Sequence, residues 1–242
     1  MNLIITSHNI KNELVNPGYS VIPAEELYFS PVLDEEKAKF LKDWNKLEID
    51  NHMMDGGKYR LRRYGRFTFD NETEKLDYQG EVKYFQTEEL NTFAGGQVRK
   101  FAPLFDETVQ NNFLRELILF DFNQLPIKDE FQNIKWNVGI HQIRILAEPG
   151  KKGQPAPEGI HKDGEMYTVQ HLIERKNIEG GENAAYDNDK NRIAKWMQSQ
   201  RFDSYYFEDD VIYHSVSQVT SKDESSIGYR DVLLIDFDPI KD

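Results

Sequence analysis

Apolar residues recur at helical spacing in parts of the front of the chain and with the two-residue period of strands through much of the back. In LDEEKAKFLKDWNKL, Phe40, Leu41, Trp44 and Leu47 return every three to four residues. That spacing predicts a helix over residues 34–47, with Asp34 as its cap and acids in its first turn. Residues 58–69 alternate instead: Leu61, Gly65, Phe67 and Phe69 share one face, Arg60, Arg62, Tyr64 and Arg66 the other. This is a strand pattern, with the arginine face expected to be solvated. A second helix is predicted from Asp106, burying Phe113, Leu114, Leu117 and Ile118 and ending before Pro126. From Trp136 onward the segments NVGIHQIRIL, MYTVQHLI, SYYFEDDVIYHSVSQV and GYRDVLLIDF read as short strands separated by Gly, Pro and Asp. Such a series predicts an all-β barrel or sandwich, with the N-terminal helices packed outside it. Residues 186–203, YDNDKNRIAKWMQSQRFD, are expected to form a short helix inserted between strands.

At 242 residues and 38% hydrophobic composition, the chain suffices for one packed domain over residues 1–242. Residues 1–57 form its N-terminal helical flank and residues 58–242 its β core, with a packing helix near 106–120. The 42 acidic against 30 basic residues give a net charge of -12, which disfavours a nucleic-acid partner. The absence of cysteine removes disulfides, thiolate metal sites and thiol nucleophiles. No leader pattern is read at the start, and no apolar run approaches the roughly 20 residues that span a bilayer. The expectation is a cytoplasmic protein with neither a membrane nor a nucleic-acid partner.

The chemistry concentrates in GIHKDGEMYTVQHL. His161 and Asp163 are two apart, so on extended backbone they share a face. His214, in VIYHSV, follows another extended run. Two imidazoles and a carboxylate form the facial triad of non-haem Fe(II) oxygenases, although zinc accepts similar donors. Arg230, 16 positions beyond His214, resolves the ambiguity if their two strands are neighbours. Its guanidinium would then grip the distal carboxylate of 2-oxoglutarate bound to the metal.

The segments GGQVRKF (95–101), GIHQIR (139–144), IHKDGE (160–165), EGGEN (179–183), YHSVSQV (213–219) and YRDVLLIDF (229–237) come in a telling order. Together they resemble the bacterial 2-oxoglutarate/Fe(II) dioxygenases that hydroxylate free L-amino acids, the isoleucine 4-hydroxylase group. The resemblance spans about residue 58 to the end of the chain. It implies a mainly β, double-stranded β-helix (jelly-roll, cupin-like) core. It also implies Fe(II), 2-oxoglutarate and O2 as reagents, with His161, Asp163 and His214 as catalytic iron ligands and Arg230 as the 2-oxoglutarate anchor. The implied reaction hydroxylates an amino-acid side chain while 2-oxoglutarate is decarboxylated to succinate.

For the amino acid itself, Arg144, in step with Gln142, is the candidate for the carboxylate, and Glu165 for the ammonium. Tyr64 and Arg66 are second choices. His141 and His171 are read as structural. Two alternatives stay open at this point: a non-catalytic β-barrel that binds a metal or small ligand, and a hydroxylase of a peptidyl or carrier-bound residue.

Overall fold

In the computed structural model, which describes residues 2–89, 91, 93, 95–223 and 225–241, the alternating segments assemble into one large sheet. Its six central strands are β1 (Tyr19–Ile22), β2 (Arg60–Asp70), β3 (Lys135–Ala147), β4 (Tyr167–Lys176), β5 (Ser204–Glu208) and β6 (Gly228–Pro239). Their spatial order is β1-β5-β4-β6-β3-β2, every neighbouring pair antiparallel, with Glu48–Ile49 beyond β2. Register fixes which side chains share a face. Arg62 lies across from Ile143 and that from Val232; Tyr64 lies across from His141, then Leu234, Gln170 and Tyr205.

The opposite face of the sheet carries the core. Phe67, Phe69, Trp136, Val138, Ile140, Tyr167, Val169, Tyr206, Leu233, Ile235 and Phe237 are all buried there in one cluster. Helices α1 (Asp34–Phe40) and α2 (Asn112–Gln124) supply the covering layer. Four side chains of α2, Phe113, Leu114, Leu117 and Ile118, are fully enclosed. At about 1.5–3 kcal/mol each, they contribute about 6–12 kcal/mol of burial. Asn111 caps the helix, its Oδ1 accepting from the Leu114 N–H at 3.1 Å.

The predicted 34–47 helix divides: α1 ends at Phe40 and Leu41–Lys46 continues as a 3-10 helix. Asp34 is the first helical residue and makes no cap, since the cap position is Leu33. The predicted stripe still packs, with Phe40, Trp44 and Leu47 buried. The second helix likewise starts as the separate turn Asp106–Val109. The N-terminal flank is not purely helical: β1 joins the main sheet beside β5, and Ile4–Thr6 pairs with Leu27–Phe29.

Two three-stranded sheets lie outside the large one. In one, Asn183–Tyr186 is flanked by Arg192–Trp196 and Tyr213–Val216; in the other, Val219–Ser221 is flanked by Ile178–Gly180 and Lys152–Gly153. The helix expected within residues 186–203 is therefore a strand. A tight turn decides this: Asp187 Oδ1 accepts from the N–H groups of Asp189 and Asn191, and Lys190 takes a positive φ. The chain reverses there, and Arg192–Trp196 pairs back onto Asn183–Tyr186. The result is mainly β, a jelly-roll with helices on one face and a cavity on the other.

Candidate active site

The cavity opens to solvent and has room for water-sized spheres over about 100 Å³. Along β3 the side chains that line it are His141, Ile143 and Ile145; along β6 they are Arg230, Val232, Leu234 and Asp236. Arg60 and Arg62 from β2, Gln170 from β4, and His214 and Val216 from the smaller sheet complete most of the wall.

His161 and His214 face each other through a two-way backbone bridge, each N–H donating to the other's carbonyl at 3.0 Å. Asp163 sits between the two imidazoles. Its Oδ1 is 3.5 Å from His161 Nε2, and its Oδ2 is 3.5 Å from His214 Nε2. One donor atom from each residue lies within 4.8 Å of the other two. His161 Nδ1 meets the Gly159 carbonyl at 3.0 Å, which orients the ring and directs Nε2 inward. Asp163 Oδ2 is buried and, among the described residues, has no hydrogen-bond partner. A buried carboxylate oxygen left unmatched between two inward-facing imidazole nitrogens fits a divalent cation.

The electrostatics agree. Burial opposes ionisation of Asp163, but His214 and His161 together outweigh it and hold the carboxyl below its usual range. Burial also works against charge on His161, yet Asp163 and Glu158 push its pKa up to about 9. His214, buried and beside His161, falls to about 3. The protein alone thus carries a proton on His161 that a bound cation would displace. Glu158 Oε1 lies 3.3 Å from His161 Nε2, an acid at the centre that the sequence did not advertise.

Arg230 lines the same cavity and is 1% exposed. It reaches it by a route other than the expected one. The strands of His214 and Arg230 are not neighbours: Tyr213–Val216 pairs with Asn183–Tyr186, whereas β6 lies between β3 and β4. The two residues meet across the space between sheets. Arg230 Nη2 donates to Gln198 Oε1 at 3.0 Å and to Asn183 Oδ1 at 3.4 Å. Burial and nearby Arg175 lower its pKa to about 9, leaving it charged at neutral pH.

Gln142 and Arg144 belong to the other face of β3. Gln142 lies beside Asp43. Arg144 forms a two-pronged ion pair with Asp231, Nε to Oδ1 at 2.7 Å and Nη2 to Oδ2 at 2.6 Å, and stacks 4.1 Å from the Tyr229 ring centre. Neither lines the cavity, so both expectations are corrected. The alternation was read properly, but the face was not. Glu165 is also outside the cavity wall, among Asp236, Asp238 and Arg66. Its pKa rises to about 8 through burial and those acids, a poor state for holding an ammonium.

The face of β2 expected to be solvated is buried: Arg60 and Arg62 are 8% and 7% exposed and line the cavity. His141 lines it too. Its Nδ1 accepts from the Arg62 guanidinium, and its Nε2 faces Asp236 Oδ2 at 2.6 Å. His171 is structural, held on the helix side by Asp121 Oδ2 at 2.9 Å and Ser204 Oγ at 2.7 Å. Arg99, Tyr84 and Gln86 also line the cavity. They come from a segment lacking a periodic signal, although GGQVRKF was noted as family-like.

Comparison with known proteins is consistent with this geometry. Over 234 residues the chain is 27% identical to a 3(1)-hydroxy-L-isoleucine 4-dioxygenase of Pantoea ananatis, covering 93% of each chain. It is 27% identical over 199 residues to an L-isoleucine-4-hydroxylase of Bacillus thuringiensis, covering 81% of this chain and 80% of the other. The crystal structure of IDO from Bacillus thuringiensis superposes with a TM-score of 0.77 at 22% identity, covering 95% of this chain and 97% of that one. A bsmA homolog from Methylobium petroleophilum gives 0.78 at 24%, covering 94% and 90%. The 2OG-Fe dioxygenase model matches residues 41–236. Most of the fold, with every cavity residue described above, lies within that match, and the chain belongs to the 2OG-Fe dioxygenase family, non-haem iron enzymes that use Fe(II), 2-oxoglutarate and O2.

Proposed function

We propose that this dioxygenase hydroxylates the side chain of a free L-amino acid, with 2-oxoglutarate consumed to succinate and CO2. The observation that carries this reading is the convergence of His161, Asp163 and His214 on one cavity that also holds the buried Arg230. In it, the two imidazoles and the carboxylate would hold iron. Iron, with 2-oxoglutarate and dioxygen, supplies the oxidising power that places an oxygen atom in a C–H bond. Arg230 pairs with the distal carboxylate of 2-oxoglutarate, its guanidinium oriented by Gln198 and Asn183. Ile143, Ile145, Val216, Val232 and Leu234 give the cavity apolar wall against which an aliphatic side chain packs and from which water is displaced.

One further observation supports a free amino acid: the Pantoea ananatis and Bacillus thuringiensis relatives are named for action on hydroxyisoleucine and isoleucine. The test is to supply Fe(II), 2-oxoglutarate and air with each proteinogenic L-amino acid in turn and to measure succinate and product mass. An aliphatic amino acid should stimulate succinate and gain one oxygen atom. If none rises above the background without substrate, the free-amino-acid reading fails.

A further inference from the structure

Besides Arg230, the cavity wall contains three more arginines, and they differ in what neutralises them. Arg60 is satisfied: its Nε donates to Asp50 Oδ2 at 2.7 Å, and the Asp50 side chain is fully buried. Arg62 and Arg99 are 7% and 2% exposed, and among the described residues neither hydrogen-bonds a carboxylate. Their contacts are neutral. Arg62 donates to His141 Nδ1, and Arg99 Nη2 to Gln86 Oε1. The Nε of each is buried and has no partner among the described residues. Aromatic rings hold both planes: Arg62 lies 4.1 Å from the Phe101 ring centre and Arg99 4.8 Å from that of Tyr84. Stacking orients a guanidinium but leaves its charge unpaired.

The acids nearby are already engaged. Asp50 is taken by Arg60, and Asp236 faces His141 and accepts from Thr168 at 3.1 Å, while Glu158, 3.3 Å from His161 Nε2, acts on Arg99 only through space. Two buried cations with open donor positions, in a cavity with an iron centre, amount to a site built for an anion. Its place is tied to the metal by one residue. Gln86 accepts from Arg99 and, through Nε2, donates to the Asp163 carbonyl at 2.7 Å.

We propose that Arg62 and Arg99 form the cradle for the α-carboxylate of the amino-acid substrate, separate from the 2-oxoglutarate anchor at Arg230. The assignment rests on the free-amino-acid reading above and specifies how that substrate is held. It replaces Arg144, whose charge is consumed by Asp231. Burial and the neighbouring Arg60 lower the Arg62 pKa to about 10, so it stays charged at neutral pH. The cradle selects for a free carboxylate, so an amino acid whose carboxyl is amidated or in peptide linkage loses its anchor, whatever its side chain.

The test measures binding apart from turnover. Calorimetry on the Fe(II)- and 2-oxoglutarate-loaded protein under argon is run with each proteinogenic L-amino acid and its carboxamide. At least one acid should bind at least about 30-fold more tightly than its amide. Arg62→Gln and Arg99→Gln should each weaken that acid at least about 30-fold and 2-oxoglutarate less than about threefold. Arg230→Gln should do the reverse. Retained 2-oxoglutarate binding certifies that the variants fold, and the acid-against-amide comparison on the unaltered protein needs no variant. Equal binding of acid and amide, no binding of any amino acid, or loss of 2-oxoglutarate in place of the amino acid would each overturn the cradle. If an acid binds with the expected preference yet is not oxidised in air, the cradle stands and the proposed activity falls.

Discussion

Arg230→Gln removes a charge from the wall of the cavity while keeping a polar side chain there. The arginine is 1% exposed, its Nη2 partners are amide oxygens, and its Nε has none among the described residues. Removing one partner of a buried charge pair costs about 2–5 kcal/mol. At about 1.4 kcal/mol per factor of ten, that is about 30- to 4000-fold in affinity. The structure favours the lower part of that range. Arg175 acts on Arg230 through space and its Nη1 is unpartnered among the described residues, so it takes over part of the lost attraction. The KM for 2-oxoglutarate should therefore rise about 30- to 300-fold. Iron affinity should be unchanged, because Arg230 is not among the three metal-competent donors. The assay is initial succinate formation across a 2-oxoglutarate series, with retained iron measured on the same preparation. A KM within about threefold of the parent would refute the anchor role, as would loss of iron in parallel.

Asp163→Ala removes the carboxylate that sits between the two imidazoles. Iron retained after dialysis should fall more than about 100-fold with secondary structure intact, checked by elemental analysis and circular dichroism. Arg144→Ala breaks the buried pair with Asp231, so stability should fall by about 3 kcal/mol in chemical denaturation while KM for both substrates holds. A selective rise in the amino-acid KM would restore Arg144 to the binding site. His8 carries a pH dependence. Burial opposes its charge, but hydrogen bonds to Glu13 and Glu26 at 3.0 and 2.7 Å outweigh that and raise its pKa above 6.5. A raised folded-state pKa contributes stability that is full below about pH 6.5 and is lost as pH climbs through the folded value. Exposure keeps the effect below about 1 kcal/mol. His8→Asn should flatten this part of the melting-temperature profile between pH 6 and 8; an unchanged profile would refute it.

Local pattern carried far in this chain, because the features it reports are local. Two-residue alternation marked the long strands, and three-to-four-residue spacing marked the faces of α1 and α2 that pack. His161 and Asp163 share a face by covalent geometry alone, and chemistry nominated His214 and Arg230 as their company. Tertiary structure decided which face of each strand meets the cavity. Both faces of β3 are largely buried, one against helices and one against the second layer, so hydrophobicity did not separate His141 from Gln142. On β2 the arginines looked solvated because charge normally seeks water; burial became tolerable only where Asp50, aromatic rings and the cavity converged from distant segments. The inserted hairpin went unread for a related reason, since a strand's stability lies in the partner it pairs with, and for Arg192–Trp196 that partner is found only once the chain has turned back.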